Sequence, residues 1–270
     1  MKLRTTVLTA LLLMLPAIRA VADDDPESYH IRAITFTGDT IEGYLRFNLK
    51  TGLKNMFSKS GTIHQYIHVA DSPEKGSESQ RYSASQVREY RYLEPTEDFP
   101  EGAVVVSERI NSPVPFKPNS NVRGFAEELD RRDCGSILKW NVWESTGGRN
   151  SVSRIVPAIG VKFKGARAAY GIKINGRVSL ALLLNYLKKA HPEFRQKLID
   201  YYMKGDDAKG HWNELKDNPS TILLVYEEFI KDHDPISDPE ENKDLKELTE
   251  GKKDKKNHTT EEPTPDEPAE

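Results

Sequence analysis

The chain has 270 residues, and its 39 lysines and arginines stand against 42 aspartates and glutamates, which gives a formal net charge of −3. Residues 233–270 alone carry a net charge of −7, so the region 23–232 is close to neutral and shows no basic surplus for nucleic-acid binding. A single cysteine excludes an internal disulfide, so the hydrophobic core must hold the fold.

Residues 1–22 match the pattern of a secretory signal peptide. Lys2 and Arg4 give a basic start, residues 7–15 are apolar, and Ala20-Val21-Ala22 is a small-x-small cleavage pattern. The apolar run is much shorter than the roughly 20 residues of a membrane span. We therefore expect an exported protein, periplasmic or extracellular, without a transmembrane segment once the signal is removed.

Residues 23–118 are predicted to form an N-terminal β-rich part. Alternating apolar and polar residues over 29–36 and 41–49 predict a hairpin, and Gly38 in the connecting turn supplies a positive φ. Further strands are expected at 62–69, 81–83, 87–93 and 104–110. Three prolines in a polar context predict a loop over 111–121.

Two pieces of this part carry a resemblance, residues 38–45 (GDTIEGYL) and residues 82–90 (YSASQVREY). Over residues 29–230 the chain resembles a group of uncharacterised exported β-rich proteins of Bacteroidetes-type bacteria. Those proteins combine a signal peptide, a GDTIxG hairpin, a YxAxxVxxY strand, further antiparallel strands and a helical C-terminal region. The resemblance implies the envelope or exterior of a Gram-negative bacterium and carries no catalytic residues.

Residues 119–232 are predicted to form strands followed by helices, packed with the first part. Residues 125–132 fit a short helix or a strand edge, and strands are expected at 135–144, 155–163 and 168–174. Pro157 indicates an edge strand or a bulge. The apolar period then changes from 2 to 3.6, which predicts three helices, over 179–190, from Pro192 to Gly205, and from about Asn218 to Phe229.

This order of elements predicts an α+β fold, with an antiparallel β-rich body followed by a three-helix C-terminal region. The centre of the core is expected where strand-like segments meet at Lys164-Gly165. Residues 233–270 are rich in proline and charge and hold few large apolar side chains, so they are predicted to be a disordered acidic tail outside the fold.

Familiar catalytic and metal-binding motifs are missing from the sequence. It contains no G-x-S-x-G elbow, no phosphate-binding G-x-x-x-x-G-K-[ST] loop and no H-E-x-x-H helix. On a strand, His64 and His68 would lie about 13 Å apart, too far to share one ion. Cys134 follows two arginines but has no histidine nearby in sequence, which favours an idle, buried thiol. We expect no metal and no cofactor.

The adjacent acidic residues are predicted to be solvated surface groups rather than a pair of catalytic carboxylates. They are Glu127, Glu128, Asp130, Glu227 and Glu228.

Aromatic residues on strands are the candidates for binding. Tyr90 and Tyr92 alternate with Arg88 and Arg91, and Trp143 faces away from the apolar side of its strand. Exposed aromatics on a β face suit sugar or protein recognition, unless both faces of the sheet are covered. No catalytic residue is assigned.

The leading hypothesis is a non-catalytic binding or interaction module of the bacterial envelope, with a protein or glycan partner. A hydrolase of envelope polymers, with acidic residues brought together from distant strands, and a purely structural envelope component are the alternatives. The oligomeric state stays open.

Overall fold

The computed structural model describes residues 28–46, 63–74, 76–95, 100–114, 117–145 and 153–250. The predicted signal peptide and residues 251–270 lie outside the described residues. Within these described residues, eleven strands form one sheet: β1 (Ser28–Thr35), β2 (Thr40–Arg46), β3 (Tyr66–Ala70), β4 (Ser79–Ser83), β5 (Val87–Tyr92), β6 (Val104–Val114), β7 (Lys117–Arg132), β8 (Gly135–Ser145), β9 (Ser153–Phe163), β10 (Ala169–Ile174) and β11 (Arg177–Val178).

Five helices follow within the described residues: α1 (Ala181–Ala190), α2 (Pro192–Ile199) with a π-helical turn (Asp200–Lys204) continuing it, α3 (Ala208–Asp217), α4 (Thr221–Phe229) and α5 (Pro239–Thr249). The α+β class and the antiparallel β-rich body are therefore confirmed. No helix among the described residues combines the length and apolar character that crossing a membrane requires.

The sheet runs in the order β11-β10-β9-β8-β7-β6-β5-β1-β2-β3-β4. Strands β1 and β2 form the predicted hairpin, and Gly38 has a φ of +95° in its turn. The alternation of this segment explains its burial, since Gly43 and Leu45 point inward while Glu42 is exposed.

Strands β6 and β7 form a long hairpin, so the loop predicted over 111–121 is wrong. Asn111 pairs with Asn121, and Ser112 pairs with Ser120. The register shifts between Ser112 and Val114, around Pro113, which has no N–H to donate to the ladder. A polar strand with prolines at a shifted register looks like a loop in sequence.

The sheet closes on itself at β6. Its residues Val104–Val106 pair with β5, whereas Ile110 and Asn111 pair with β10 in the only parallel contact of the described strands. Because β7 occupies the other edge of β6, β5 and β10 share one edge, and strands β6 to β10 form a closed ring. Residues 107–109 lie at the gap where β6 changes partner.

The buried apolar side chains of the described part of the chain form three clusters. The first lies among β1–β7 and includes Ile31, Tyr90 and Phe125. The second fills the ring and includes Ile110 and Trp140. The third lies between the ring and the helices. The expected centre at Lys164-Gly165 belongs to this third cluster, since the neighbouring Phe163 and Ala166 are fully buried.

The helical region differs from the prediction in number. Helices α1, α2 and α4 match the three that were expected, but α3 and α5 were missed. In α3, Leu215 is the single buried residue, so its apolar pattern is too weak to be recognised. Cys134 is buried and free, as predicted.

The boundary of the predicted tail is also corrected, because residues up to Thr249 belong to the fold. Ile236 is 3% exposed and its N–H donates to the hydroxyl of Tyr226 at 2.7 Å. Asp238 caps α5 by accepting from the N–H of Glu240. The low content of apolar residues led to the wrong boundary, because charged side chains rather than apolar ones attach α5 to the sheet.

Candidate functional site

Tyr90 and Tyr92, predicted to be binding residues, are core residues. They are 6% and 1% exposed, and the Tyr90 ring lies edge-on to Tyr92 and to Phe125. Burial raises the pKa of Tyr90 well above its usual value. Strand β5 lies between β1 and β6 near the middle of the sheet, and even Glu89 on its other face is buried. The expectation of a binding face on these tyrosines is therefore corrected.

The third candidate, Trp143, lies in β8 opposite Ile155, and its side chain is outside the described residues. Its proposed role in binding stays a prediction.

Cys134 has the environment of a structural thiol. Its sulfur lies 3.7 Å from the carbonyl oxygen of Leu223. Burial raises the thiol pKa and outweighs the opposing effect of Arg132. A thiol that resists ionisation is a poor nucleophile.

The other sequence candidates lie apart from one another. His68 lies in β3 beside Arg81, whereas His64 precedes the strand and its carbonyl accepts from the N–H of Phe125. Among the described residues, no group of three or more histidine, cysteine and acidic side chains could hold a metal ion.

The acidic candidates form ion pairs with neighbouring cations instead of facing one another as a catalytic pair. These pairs are Glu127–Lys139, Glu128–Arg131, Asp130–Arg132, Glu227–Arg132 and Glu228–Lys231.

The structure reveals a charged cluster that the sequence did not indicate. Arg109 of β6 and Arg123 of β7 are directly opposite each other in the antiparallel register, so their side chains share one face. Two like charges in this position repel, and the carboxylate of Asp244 from α5 lies between them. Arg109 donates to both Asp244 oxygens at 2.5 Å, and Arg123 donates to one of them at 3.0 Å. We call Arg109 and Arg123 the arginine pair.

The arginine pair holds Asp244 in its ionised form. Hydrogen bonds from Arg109 and then Arg123 lower the pKa of this carboxyl to about 2, in spite of its partial burial. Asp244 also raises the pKa of Arg109. At neutral pH this carboxylate has no proton to give and acts only as a counter-ion.

A second group of charges lies beside the arginine pair under α5. Lys162 of β9 is 8% exposed, and its Nζ donates to Glu241 at 2.8 Å and to the carbonyl of Ala166 at 2.6 Å. Glu108 lies 3.8 Å from the same Nζ. Burial raises the pKa of Glu108, although the positive charges of Lys162 and Arg123 oppose this. Three cations and three carboxylates thus balance where α5 covers the gap in β6.

A cleft of about 600 Å³ opens next to the arginine pair, between the β1–β2 turn, the β4–β5 turn and α5. Its volume falls within the roughly 300–1,000 Å³ of small-molecule sites. It is lined by Thr35, Phe36, Thr37, Tyr82, Ser85, Gln86, Arg109, Arg123, Asp244, Glu247 and Leu248.

Local hydrogen bonds hold the walls of the cleft in place. The N–H of Phe36 donates to the carbonyl of Gln86 at 3.0 Å, which joins the two turns. The Gln86 side-chain oxygen accepts from the N–H of Ser83, and the guanidinium of Arg123 lies 5.4 Å from the centre of the Phe36 ring. These contacts therefore fix the hydroxyl, amide, aromatic and guanidinium groups on the sheet side of the cleft.

One signal in the sequence could have located part of this site. Asp238-Pro239-Glu240-Glu241 has a capping residue, a proline at the first helical position and two acids in the first turn, which is a typical helix start. The pairing of Arg109 with Arg123 could not be found, because residues 111–121 were predicted as a loop and no register followed from that.

No family model, no curated protein and no solved structure matches this chain.

Proposed function

We propose that the protein is an exported binding module of the bacterial envelope and that the cleft beside the arginine pair holds its partner, with a glycan as the leading candidate. The cleft itself is the observation that carries this proposal. It presents hydroxyl groups, the amide of Gln86, the rings of Phe36 and Tyr82, and two guanidinium groups. Ligand sites commonly combine apolar and aromatic walls with a few fixed polar groups.

Export is supported by the signal-peptide pattern of residues 1–22. The test is expression of the full chain in a Gram-negative host, followed by fractionation and intact-mass measurement. The expected product is a periplasmic or secreted protein cleaved after Ala22. A cytoplasmic protein that retains residues 1–22 would contradict export.

The alternatives from the sequence receive less support from this geometry. A purely structural component has no need of a cleft with convergent polar groups. For a hydrolase, the cleft offers the carboxylates of Asp244 and Glu247, but both oxygens of Asp244 are already hydrogen-bonded to the arginine pair, which also lowers its pKa to about 2, so it is not available as a general acid. Glu108 and Glu241, which share Lys162, do not line the cleft.

A thermal-shift screen of the mature full-length protein against envelope glycans and cell-wall fragments tests the binding function. A ligand at 100 times its Kd should add about 2.7 kcal/mol, equivalent to a Tm increase of roughly 5–10 °C for a domain of this size. Ser85→Tyr places a neutral side chain in the cleft and should abolish the increase. Ser79→Tyr, at an exposed position of β4 outside the cleft lining, is the matched control.

Two results would contradict the proposal that the cleft is the binding site. The first is a flat screen with a protein that melts cooperatively. The second is a ligand whose effect is the same in wild type, Ser85→Tyr and Ser79→Tyr, which would place its site elsewhere.

A further inference from the structure

We propose that the arginine pair is a carboxylate-binding subsite for an acidic, uronate-type sugar, and that Asp244 of α5 occupies this subsite until the sugar displaces it. This inference rests on the proposed binding function of the cleft and names its ligand class.

The sheet, and not α5, sets the backbone positions of the arginine pair. Its two residues are cross-strand partners in the β6–β7 ladder. Arg123 also donates to the carbonyl of Ser107 at 3.0 Å and lies over Phe36, so its position is fixed from the sheet side. If α5 moves away, two adjacent cations remain and attract an anion.

Asp244 contacts the arginine pair in the way that a ligand carboxylate would. Arg109 grips both of its oxygens through Nε and a terminal nitrogen, which is the two-point geometry of arginine–carboxylate recognition. Arg123 adds a third hydrogen bond. The planar fork of arginine matches a carboxylate better than a lysine ammonium does.

Helix α5 is attached mainly by charges and is therefore displaceable. Its single buried residue is Glu241, which pairs with Lys162, and Leu245 is 40% exposed. In α4, by comparison, six of nine residues are buried. Desolvation offsets much of the attraction within an ion pair, so separating both partners into water costs less than removing one of them from a buried pair. A carboxylate in solution can compete with such an attachment.

The segment before α5 is anchored separately, so the helix can leave without unfolding the core. Ile236 is buried in the third apolar cluster. The N–H of Asp238 donates to the carbonyl of Gly165 at 2.9 Å. Movement of α5 about residues 237–239 would break the ion pairs of Glu240, Glu241 and Asp244 and leave these anchors in place.

The cleft favours a sugar as the carrier of the carboxylate. Its walls next to the arginine pair hold the hydroxyl of Ser85, the amide nitrogen of Gln86 and the rings of Phe36 and Tyr82. The hydroxyls of Thr35 and Thr37 also line it, bonded to each other, and keep acceptor positions for a sugar hydroxyl. Sugar hydroxyls need hydrogen-bonding groups, and the apolar faces of a sugar ring pack on aromatic rings. A sugar acid can bind this wall through its hydroxyls and ring face and can bind the arginine pair through its carboxylate.

The experiment is calorimetric titration of the mature full-length protein with trigalacturonate and with its neutral counterpart galactotriose, at low salt. Asp244→Asn should bind trigalacturonate about tenfold more tightly than wild type, because the internal competitor is weakened. Glu240→Gln removes the same charge from the same helix and is the matched control, because its ion pair with Arg167 is exposed and holds α5 much less than the Asp244 contacts do. Its affinity should stay within about twofold of wild type.

Two further measurements support the interpretation. Arg109→Lys keeps the charge but loses the fork, so it should lose at least tenfold in affinity for trigalacturonate. On binding, amides of residues 241–249 should exchange faster in wild type while those of β6 and β7 exchange more slowly. Asp244→Ser, checked by thermal melting, replaces Asp244→Asn if the latter does not fold.

The outcomes separate this inference from the proposed function. Equal binding of galactotriose and trigalacturonate, abolished by Ser85→Tyr, keeps the binding function and overturns the carboxylate subsite. Tighter binding of a glutamate hexapeptide than of trigalacturonate by Asp244→Asn overturns the sugar class. Equal affinities of Asp244→Asn and Glu240→Gln overturn the competition by α5. Absence of trigalacturonate binding in every variant also overturns the inference, and the glycan screen then decides the proposed function.

Discussion

At the scale of single residues, Gly165 shows how one glycine allows the C-terminal segment to pack closely against the rest of the fold. Its φ is +80°, and a Cβ there would lie 2.1 Å from the carbonyl oxygen of Ile236. Gly176 has a similar φ of +76°, but a Cβ there would meet nothing within 4 Å. The two glycines therefore separate the cost of backbone conformation from the cost of a steric clash.

We expect Gly165→Ala to destabilise the protein by about 2–4 kcal/mol, and Gly176→Ala by only about 1 kcal/mol. Urea unfolding of both variants measures the difference. Equal costs would mean that the segment around Ile236 moves aside without loss, and that its packing on the β9–β10 turn is loose.

Lys162 illustrates a buried cation that serves two carboxylates. Replacing it with methionine leaves the buried Glu241 and the half-buried Glu108 without their shared partner, so we expect a loss of about 3–5 kcal/mol. Adding Glu108→Gln and Glu241→Gln should recover much of this loss, because no uncompensated charge then remains. Urea unfolding of the single and triple variants tests this, and a triple variant no more stable than Lys162→Met would contradict it.

The burial of a residue was predicted correctly where it depends only on alternation along its own strand. It was predicted poorly where it depends on the neighbouring strands. Leu45 and Gly43 are buried as their alternation indicated. Tyr90 and Tyr92 were misjudged because no local pattern shows that their side chains pack against Phe125 of β7 and the rest of the first apolar cluster. The burial of a residue on a central strand depends on strands that are distant in the chain.

At the scale of elements, α5 is the helix whose attachment depends on ionisation. The charged groups around Asp244 are Arg109 from β6, Arg123 from β7, and Glu240 and Glu241 on α5 itself. The folded pKa of Asp244, about 2, is below the value of about 3.9 in an unfolded chain. The stabilisation is therefore complete above pH about 4 and is lost as the pH falls towards 2.

The free energy of unfolding should therefore differ between wild type and Asp244→Asn by an amount that depends on pH. At pH 6 we expect the variant to be less stable by about 2 kcal/mol, and the difference should shrink to near zero by pH about 2. Unfolding measured at several pH values in both proteins cancels the titration of the other carboxylates, including Glu108, whose raised pKa acts in the opposite direction. A difference that does not change with pH would show that Asp244 acts through packing instead.

The helices were predictable to the extent that each has an apolar stripe. Helix α1 buries Leu183 and Leu187, which the 3.6 period identified. Helix α5 buries only Glu241, so any rule that counts apolar residues rejects it. The arginine pair, Asp244 and the cleft were unpredictable for the same reason, since charges that meet across 121 to 135 residues leave no periodic signal.

At the scale of the whole molecule, the three apolar clusters share their strands. Neighbouring residues of β6 point into different clusters, Val105 into the first and Val106 into the second, and in β7 the same holds for Phe125 and Ala126. Strand β9 links the second cluster to the helical layer through Val156 and Phe163. The β10–β6 contact that closes the ring is non-local and could not be read from the sequence.

Because strands are shared, damage to one cluster should destabilise the whole molecule. Ile31→Val removes one methyl group from the first cluster, where Ile31 is fully buried, and should cost about 1 kcal/mol. In a background with Trp143→Phe and Trp212→Phe, tryptophan fluorescence reports on Trp140 in the second cluster, and far-ultraviolet circular dichroism reports on the helices. Both midpoints in urea should fall by the same amount in Ile31→Val and coincide with each other in wild type.

Leu224→Ala, at a position 45% exposed on α4, is the control and should leave both midpoints nearly unchanged. A different result would be informative about how the clusters are coupled. If Ile31→Val created an early transition and left the helical signal unmoved, strands β1–β5 would unfold separately from the ring. The continuous ladders through β6 and β7 argue for one transition, because the first cluster cannot lose Val105 and Phe125 without disturbing the strands that line the second.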